Sequence, residues 1–310
     1  MIVTDTLEHG FFGQAAIWIL EVLPFLDARN TGLTCRIECR NYGVAPDFDC
    51  LAPYMDHLIP HHGAADEVCR LTAIKREHGA LFVDFTTPNR LWNKYFAFKS
   101  CIRDEVDAFV ASHFHGRTLG IHYRGSNKVK GACPEATPIS YDEMDVFIEE
   151  YCRVPEQRPD TIFVASDEVD YVHHVQKRYG ARFKVVRRVD SARNERDAPI
   201  PIYFWMAGTR SGSTSWSDAD TIALGVDAIG NALLLSRCNI VLKTASALSA
   251  WSKIFNPALE VYRVNAFLFP WFPDAYIPLY RARDPAAREL LDRTTNGEAG
   301  PDSVARMPAG

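Results

Sequence analysis

From residue 118 to residue 264 short apolar runs alternate with amphipathic stretches. The runs at 118–123, 161–165, 183–186, 240–242 and 259–264 are rich in β-branched and aromatic residues and nearly free of charge, which reads as strands buried on both faces. Between the first two, Ser140-x-x-Glu143 forms a capping box and opens a helix that turns Met144, Phe147, Ile148 and Tyr151 inward. Val172, Val175 and Tyr179 mark a second helix, with Gly180 as its C′ residue. Ser217 or Asp218 caps a long helix carrying Ile222, Val226, Ile229 and Leu233, and a further helix covers 248–255. Strand and helix in strict alternation require a parallel sheet with both faces covered.

The first third is less regular. An apolar run at 2–4, a glycine-containing loop at 8–13, an apolar helix over 16–26 and a strand over 33–39 form a β–α–β opening, with Pro24 kinking the helix or marking its final turns. A strand is predicted at 81–85, bounded by Gly79 and by Thr86, Thr87 and Pro88. Phe98, Ile102, Val106, Phe109 and Val110 share one helical stripe that ends near His113, with Gly116 as a stop. The prediction is an α/β protein of two facing Rossmann-like domains with a central cleft. The first covers 1–115, the second 116–293, and a polar tail at 294–310 is expected to be disordered. The glycines at 10 and 13 do not make a GxGxxG, which argues against an NAD-dependent oxidoreductase.

Composition changes this picture little. The chain has 310 residues, 47% hydrophobic and 24% charged, as in ordinary globular proteins. A net charge of −5 argues against a nucleic-acid binder. Eight cysteines are scattered without a CxxC, several in apolar runs, as expected of reduced cysteines in the cytoplasm. There is no basic segment followed by a long apolar one at the start, and no apolar run long enough to span a bilayer. Cytoplasmic placement is therefore expected, compatible with peripheral membrane association. His57, His61 and His62 match no zinc spacing, and no metal is expected.

Chemistry gathers where strands end. Parallel strands deliver their carboxyl ends to one edge of a sheet, where α/β proteins bind ligands. Three predicted strands end in polar clusters: Arg124, Gly125, Ser126, Asn127 and Lys128; Ser166, Asp167 and Glu168; and Lys243, Thr244, Ala245 and Ser246. Arg124 can grip a phosphate bidentately, and we read its tip as a holder for the diphosphate of a sugar nucleotide. Thr244 and Ser246 precede a helix whose free amides suit an anion, although simple N-capping would use the same residues. Asp167 and Glu168 suit a ribose or a base with N–H donors. Asp227 and Asn231, one turn apart, share a helix face that either reaches the ligand or is merely structural. The first half holds candidates for a second binding side, His9, Gly10, Phe11, Phe12 and Gly13 and the aromatics Trp92, Tyr95 and Phe96, which also suit a core; in the family resembled below this would be the acceptor side. The Pro-, Gly- and Ser-rich loop at 190–218 has the composition of a lid.

These residues resemble a family. His122-Tyr-Arg124-Gly-Ser-Asn127-Lys128-Val129 is similar to the His-x-Arg-x-x-Asp/Asn-Lys-Val signature of GDP-fucose-dependent fucosyltransferases, of the α1,6 and rhizobial nodulation type. Glu135-Ala-Thr-Pro138-Ile139 resembles their Glu-Ala…Pro-Ile stretch, and the strand ending Ser166-Asp167-Glu168 resembles their Ser-Asp-Asp/Glu. The segment from Asn231 through Leu235-Ser236 to Thr244-Ala-Ser246 is similar to a further family segment, the whole likeness spanning about residues 118–255. Where the family often has a second arginine this chain has Gly125, and its helix aspartate is here Asn231, with Asp227 a turn earlier. The resemblance implies a GT-B-like, metal-independent, inverting transferase that moves fucose from GDP-fucose to a hydroxyl of a glycan or glycoconjugate. Arg124 would bind the diphosphate with Asn127 beside it, Asp167 and Glu168 would contact guanosine, Thr244 and Ser246 would hold phosphate, and Glu135 would be the general base. Three other readings remain: another NDP-sugar as donor, kinship with α1,2-fucosyltransferases, and a sugar-nucleotide-binding protein without turnover.

Overall fold

The structure, a computed structural model, describes residues 2–5, 12–13, 23–29, 35–38, 52–58, 69–70, 84–125, 136–188, 218–266 and 273–295. Its elements in chain order begin β1 (Ile2–Asp5), α1 (Leu23–Arg29), β2 (Cys35–Glu38), β3 (Met55–His57), β4 (Cys69–Arg70), α2 (Thr86–Tyr95), β5 (Phe96–Phe98) and α3 (Ser100–His113). There follow β6 (Thr118–Tyr123), α4 (Tyr141–Arg153), β7 (Thr161–Ser166), α5 (Val169–Tyr179), β8 (Lys184–Arg187), α6 (Asp218–Ser236), β9 (Ile240–Lys243), α7 (Ala247–Phe255), β10 (Glu260–Arg263) and α8 (Pro285–Thr295). They divide into two compact units, one of Met1–Phe109, Pro201–Leu233 and Ile254–Pro257, the other of Val110–Ile200, Leu234–Lys253 and Ala258–Gly310.

In the first unit β2, β1 and β4 form a parallel sheet, with Ile2 in register with both Cys35 and Cys69. A separate antiparallel pair joins β3 to β5, Met55 opposite Phe98. Two expectations are corrected here, the first only at Asp84 and Phe85, since residues 81–83 of that predicted strand lie outside the described residues. Asp84 and Phe85, the described end of the strand predicted at 81–85, precede a helix instead. The Asp84 carboxylate accepts from the amides of Thr86 and Thr87 at 3.1 and 3.3 Å, so it satisfies the free donors of α2. Pro88 falls within the first turn of that helix, where a missing N–H costs nothing. The second failure is Phe98, which belongs to β5 rather than to the helical stripe. Its spacing to Ile102 mimics one helical turn, but the helix begins at Ser100. Trp92, Tyr95 and Phe96 are buried, with Trp92 tilted against Phe96 at 4.8 Å between ring centres.

In the second unit five strands form a wholly parallel sheet in the order β10-β9-β6-β7-β8. Every side chain of β6, β7 and β9 is buried, which is why these strands read as unbroken apolar runs. One face carries Leu119, Ile121, Ile162, Val164, Ile240 and Leu242, packed against Met144, Phe147, Ile148, Val172 and Val175 of α4 and α5. Each such side chain contributes on the order of 1.5–3 kcal/mol by leaving water. On the other face Gly120 lets α6 close in, because a Cβ there would meet Cys238 Sγ at 2.9 Å and Leu235 Cδ2 at 3.1 Å. The amino ends of β6 and β9 are pinned by Asn239, whose side-chain oxygen accepts from the Thr118 amide at 2.7 Å.

The capping box opens α4 as expected, Ser140 Oγ accepting from the Glu143 amide and Glu143 Oε2 from the Ser140 amide. Gly180 ends α5 as its C-cap, one position nearer the helix than the C′ expected, with right-handed angles (φ −63°, ψ −21°); Gly116, at φ +58°, is left-handed. Thr294 and Thr295, assigned to the polar tail, end α8, and Thr294 is buried. No helix among the described residues is long and apolar enough to cross a membrane. Cys101, Cys152 and Cys238 are free; burial pushes the Cys152 thiol up to about 12 and the Cys238 thiol up as well, so neither is a nucleophile at neutral pH.

Candidate functional site

The carboxyl ends of β6, β7 and β9 lie side by side. Tyr123 is in register with Ser166, and His122 is in register with Lys243. The polar clusters after these strands therefore meet at one edge, and hydrogen bonds between them fix the main chain. Thr244 Oγ1 accepts from the Arg124 amide at 2.7 Å, and the Thr244 amide donates to the His122 carbonyl at 3.0 Å. Ser166 Oγ donates to the Tyr123 carbonyl and accepts from the Glu168 amide. Thr244 and Ser166 thus spend their hydroxyls on holding Arg124 and its neighbours in place.

Arg124 is half-buried. Its Nη1 lies 3.2 Å from Asp167 Oδ2, and that contact lacks hydrogen-bond alignment, while the buried Nε has no hydrogen-bond partner. The guanidinium accordingly keeps donors for a ligand. His122 behind it is buried, its Nδ1 is unpartnered, and its pKa is held well below the usual imidazole value by burial, then by the charges of Lys243 and Arg124. Unsatisfied buried polar atoms are costly in a fold that needs only stability, and those of His122, Arg124 and Asp167 at one sheet edge make it the candidate functional site.

Glu168 is turned inward. Its carboxylate accepts from the Tyr141 hydroxyl at 2.6 Å and lies against Gly125. A Cβ on Gly125 would sit 2.2 Å from Glu168 Oε1 and 2.7 Å from Tyr123 Cε1. This gives a physical reason for glycine where the resembling family often has arginine: the space belongs to an anchored carboxylate and a packed ring. Gly125→Ala is expected to cost about 1–3 kcal/mol through overpacking, read as a lower urea midpoint at unchanged slope. A loss below about 0.5 kcal/mol would show that the carboxylate swings aside freely.

Ala245 and Ser246 are buried and lead into α7. The Ala245 amide donates to Asn265 Oδ1 at 2.7 Å, and Asn265 Nδ2 donates to the Thr137 carbonyl at 2.7 Å. Asn265 escaped the sequence reading, as did Asp274, which is wholly buried and paired with the equally buried Lys243. In the sequence Lys243 is only one member of the polar cluster at 243–246. Burial pulls its ammonium down to about 8 despite Asp274.

Asp227 and Asn231 lie on α6 within the first unit, Asn231 buried with its Oδ1 unpartnered and Asp227 half-buried. Phe12 and Gly13 also belong to the first unit, Phe12 buried. Asn127, Lys128, Glu135, His9, Gly10 and Phe11, with residues 190–217 of the predicted lid, lie outside the described residues. One group with metal-like spacing occurs among the described residues: Asp142, Asp145 and His174, with ligand atoms within 4.8 Å of one another. It sits on α4 and α5 rather than at the strand ends. Asp145 is already engaged, lying 2.7 Å from His174 Nε2 and accepting from the Tyr179 hydroxyl at 2.9 Å.

No protein-family model matches the chain, and no curated protein matches it in sequence. Its structural neighbours are fucosyltransferases. The chain is similar to fucosyltransferase NodZ from Bradyrhizobium, in its selenomethionine form, at 14% identity over 85% of this chain and 94% of that one, with a TM-score of 0.51. NodZ α-1,6-fucosyltransferase soaked with GDP-fucose gives 16% identity over 83% and 92% of the two chains, with a TM-score of 0.50. A mutant of Arabidopsis thaliana FUT1 in complex with GDP gives 10% identity over 92% and 75%, also with a TM-score of 0.50. At these identities the likeness is one of fold: the five-stranded parallel sheet belongs to a Rossmann-like α/β architecture of the kind these fucosyltransferases have.

Proposed function

We propose that the chain is a GT-B-like, inverting glycosyltransferase that moves fucose from GDP-fucose to a hydroxyl of a glycan or glycoconjugate. The observation that carries the reading is Arg124, whose main chain is locked by Thr244 while its guanidinium keeps a buried Nε without a partner. A fixed, permanently charged fork at a strand end, next to the first amides of α7, suits a diphosphate. The fold likeness to fucosyltransferases that carry GDP or GDP-fucose supports the choice of donor.

In the proposed reaction an acceptor hydroxyl attacks the anomeric carbon as GDP departs. Positive charge builds on the sugar ring, as in glycoside hydrolysis, and negative charge builds on the diphosphate. Arg124 and the first amides of α7 stabilise that developing charge without reorganising, and Asp167, partnered to Arg124, accepts from the ribose or the guanine. Glu135 takes the acceptor proton, and no metal is needed.

A thermal-shift and turnover screen tests the proposal. GDP and GDP-fucose are expected to raise the melting temperature by several degrees at 100 times their dissociation constant, an effect of about 2.7 kcal/mol, whereas UDP and NAD have no effect. Stabilisation by UDP alone would overturn the donor. GDP binding without transfer to any of a panel of glycan acceptors would favour a binding protein instead.

A further inference from the structure

Three successive residues at the end of β6 are each held from a neighbouring strand end. The Tyr123 carbonyl accepts from Ser166 Oγ, the Arg124 amide donates to Thr244 Oγ1, and Gly125 lies against the Glu168 carboxylate, where a Cβ would come within 2.2 Å of Oε1. The third hold is unlike the other two. Glu168 is buried at the N-cap of α5, yet its side chain makes no capping bond. It turns back over β6 instead, and Oε2 accepts from the Tyr141 hydroxyl at 2.6 Å. Tyr141 opens α4, and its ring is wedged edge-on between Tyr123 at 5.2 Å and Tyr171 at 5.1 Å, all three rings being buried. Burying a carboxylate costs free energy that an apolar side chain of the same size would not, so packing alone does not account for Glu168.

Resting on the donor site proposed above, we infer that Glu168, aimed by Tyr141, is a positioning residue for Arg124 and not a group that meets the nucleotide. Its two oxygens are spent inside the protein, one on the Tyr141 hydroxyl and one against Gly125. From there two routes lead to the guanidinium. The first runs through Gly125. A glycine leaves the chain free to turn, so the peptide that follows Arg124 needs an outside restraint, which Glu168 gives from the β7 side as Thr244 does from the β9 side. The second runs through Asp167, whose Oδ2 lies 3.2 Å from Arg124 Nη1. Asp167 stands between Ser166 and Glu168, and both of these are anchored, Ser166 Oγ to the Tyr123 carbonyl and the Glu168 amide to Ser166 Oγ. A group that must meet a developing charge loses much of its effect when displaced by a fraction of its reach, so such a frame has a function.

Tyr141→Phe keeps the ring and its packing and removes only the hydroxyl. Calorimetric titration of the full chain, wild type and variant, is made with GDP, with IDP, which lacks the guanine amino group, and with the 2′-deoxy form of GDP. The variant is expected to lose about tenfold in affinity for all three alike, because the diphosphate they share is what a displaced Arg124 holds less well. In an Arg124→Ala background the same substitution is expected to change GDP affinity by less than about twofold, since no guanidinium is left to position. A loss larger for GDP than for IDP, or than for the 2′-deoxy form, would make Glu168 a contact to the base or the ribose and overturn the inference. Equal losses with and without Arg124, the mark of a general loosening, would overturn it too, as would a Tyr141→Phe protein that binds GDP like the wild type. Each of these results leaves the Arg124 site standing. Absence of GDP binding by the wild type, or unaltered binding by Arg124→Ala alone, would overturn that site as well.

Discussion

Arg124→Ala is expected to fold with a melting temperature close to that of the wild type and to lose two to three orders of magnitude in fucosyl transfer. The two halves of that expectation have separate causes. Stability changes little because Arg124 is fixed through its main chain: its amide donates to Thr244 Oγ1, and its carbonyl accepts from the same hydroxyl at 3.4 Å. The side chain adds one ion pair, to Asp167, partly exposed and poorly aligned, of a kind worth about 0–1 kcal/mol. Catalysis changes much because the diphosphate gains negative charge only as the sugar leaves, so a donor preset for it acts on the transition state. Loss of such a donor costs about 3–4 kcal/mol of barrier, which is the two to three orders. Arg124→Lys restores a point charge but not the planar fork, and is expected to fall between the two. The check is kcat/KM with GDP-fucose beside a thermal melt; full transfer by the alanine variant would remove Arg124 from the mechanism.

The parts of this molecule that could be read from the chain are those whose physics is local. Strands β6, β7 and β9 are buried on both faces, so each is a short apolar run, and each ends where its polar cluster begins. The capping box of α4 needs only residues three apart. What escaped reading is tertiary. Phe85 adopts φ 57° at the mouth of α2, and nothing in a run of Leu81, Phe82, Val83, Asp84 and Phe85 signals that its aspartate caps a helix. β5 is three residues long and abuts α3, so its last aromatic falls into the helical period by coincidence. Asp274 meets Lys243 across 31 residues of chain, and neither neighbourhood carries a motif. Glu168 reads as a ligand group because it follows Asp167; that its carboxylate accepts from Tyr141, 27 residues earlier, has no local sign.

Asn265 is the sharpest case of this kind, and its removal is expected to be strongly destabilising. Its side chain is buried and bridges two main-chain groups, accepting from the Ala245 amide and donating to the Thr137 carbonyl. Around it the Thr137 amide donates to the Ala266 carbonyl, and the Ala266 amide to the Thr294 carbonyl, so Asn265, Thr137 and Ala266 together tie the loop leading into α7 to the segment after β10 and the last turn of α8. Asn265→Ala strands a buried donor and a part-buried acceptor; a buried group left unmade costs about 1–3 kcal/mol and the part-buried one less, for a total of about 2–4 kcal/mol. Asn265→Asp is the discriminating partner. It keeps an acceptor for Ala245 but sets a buried carboxylate oxygen against the Thr137 carbonyl, so it is expected to be at least as destabilising as alanine. Because Ala245 lies between Thr244 and Ser246, both variants should also weaken GDP binding while Arg124 is intact. Denaturant unfolding of the two variants beside the wild type decides the matter: an alanine variant within about 0.5 kcal/mol of wild type would mean that water replaces both bonds and that the bridge does not organise the loop.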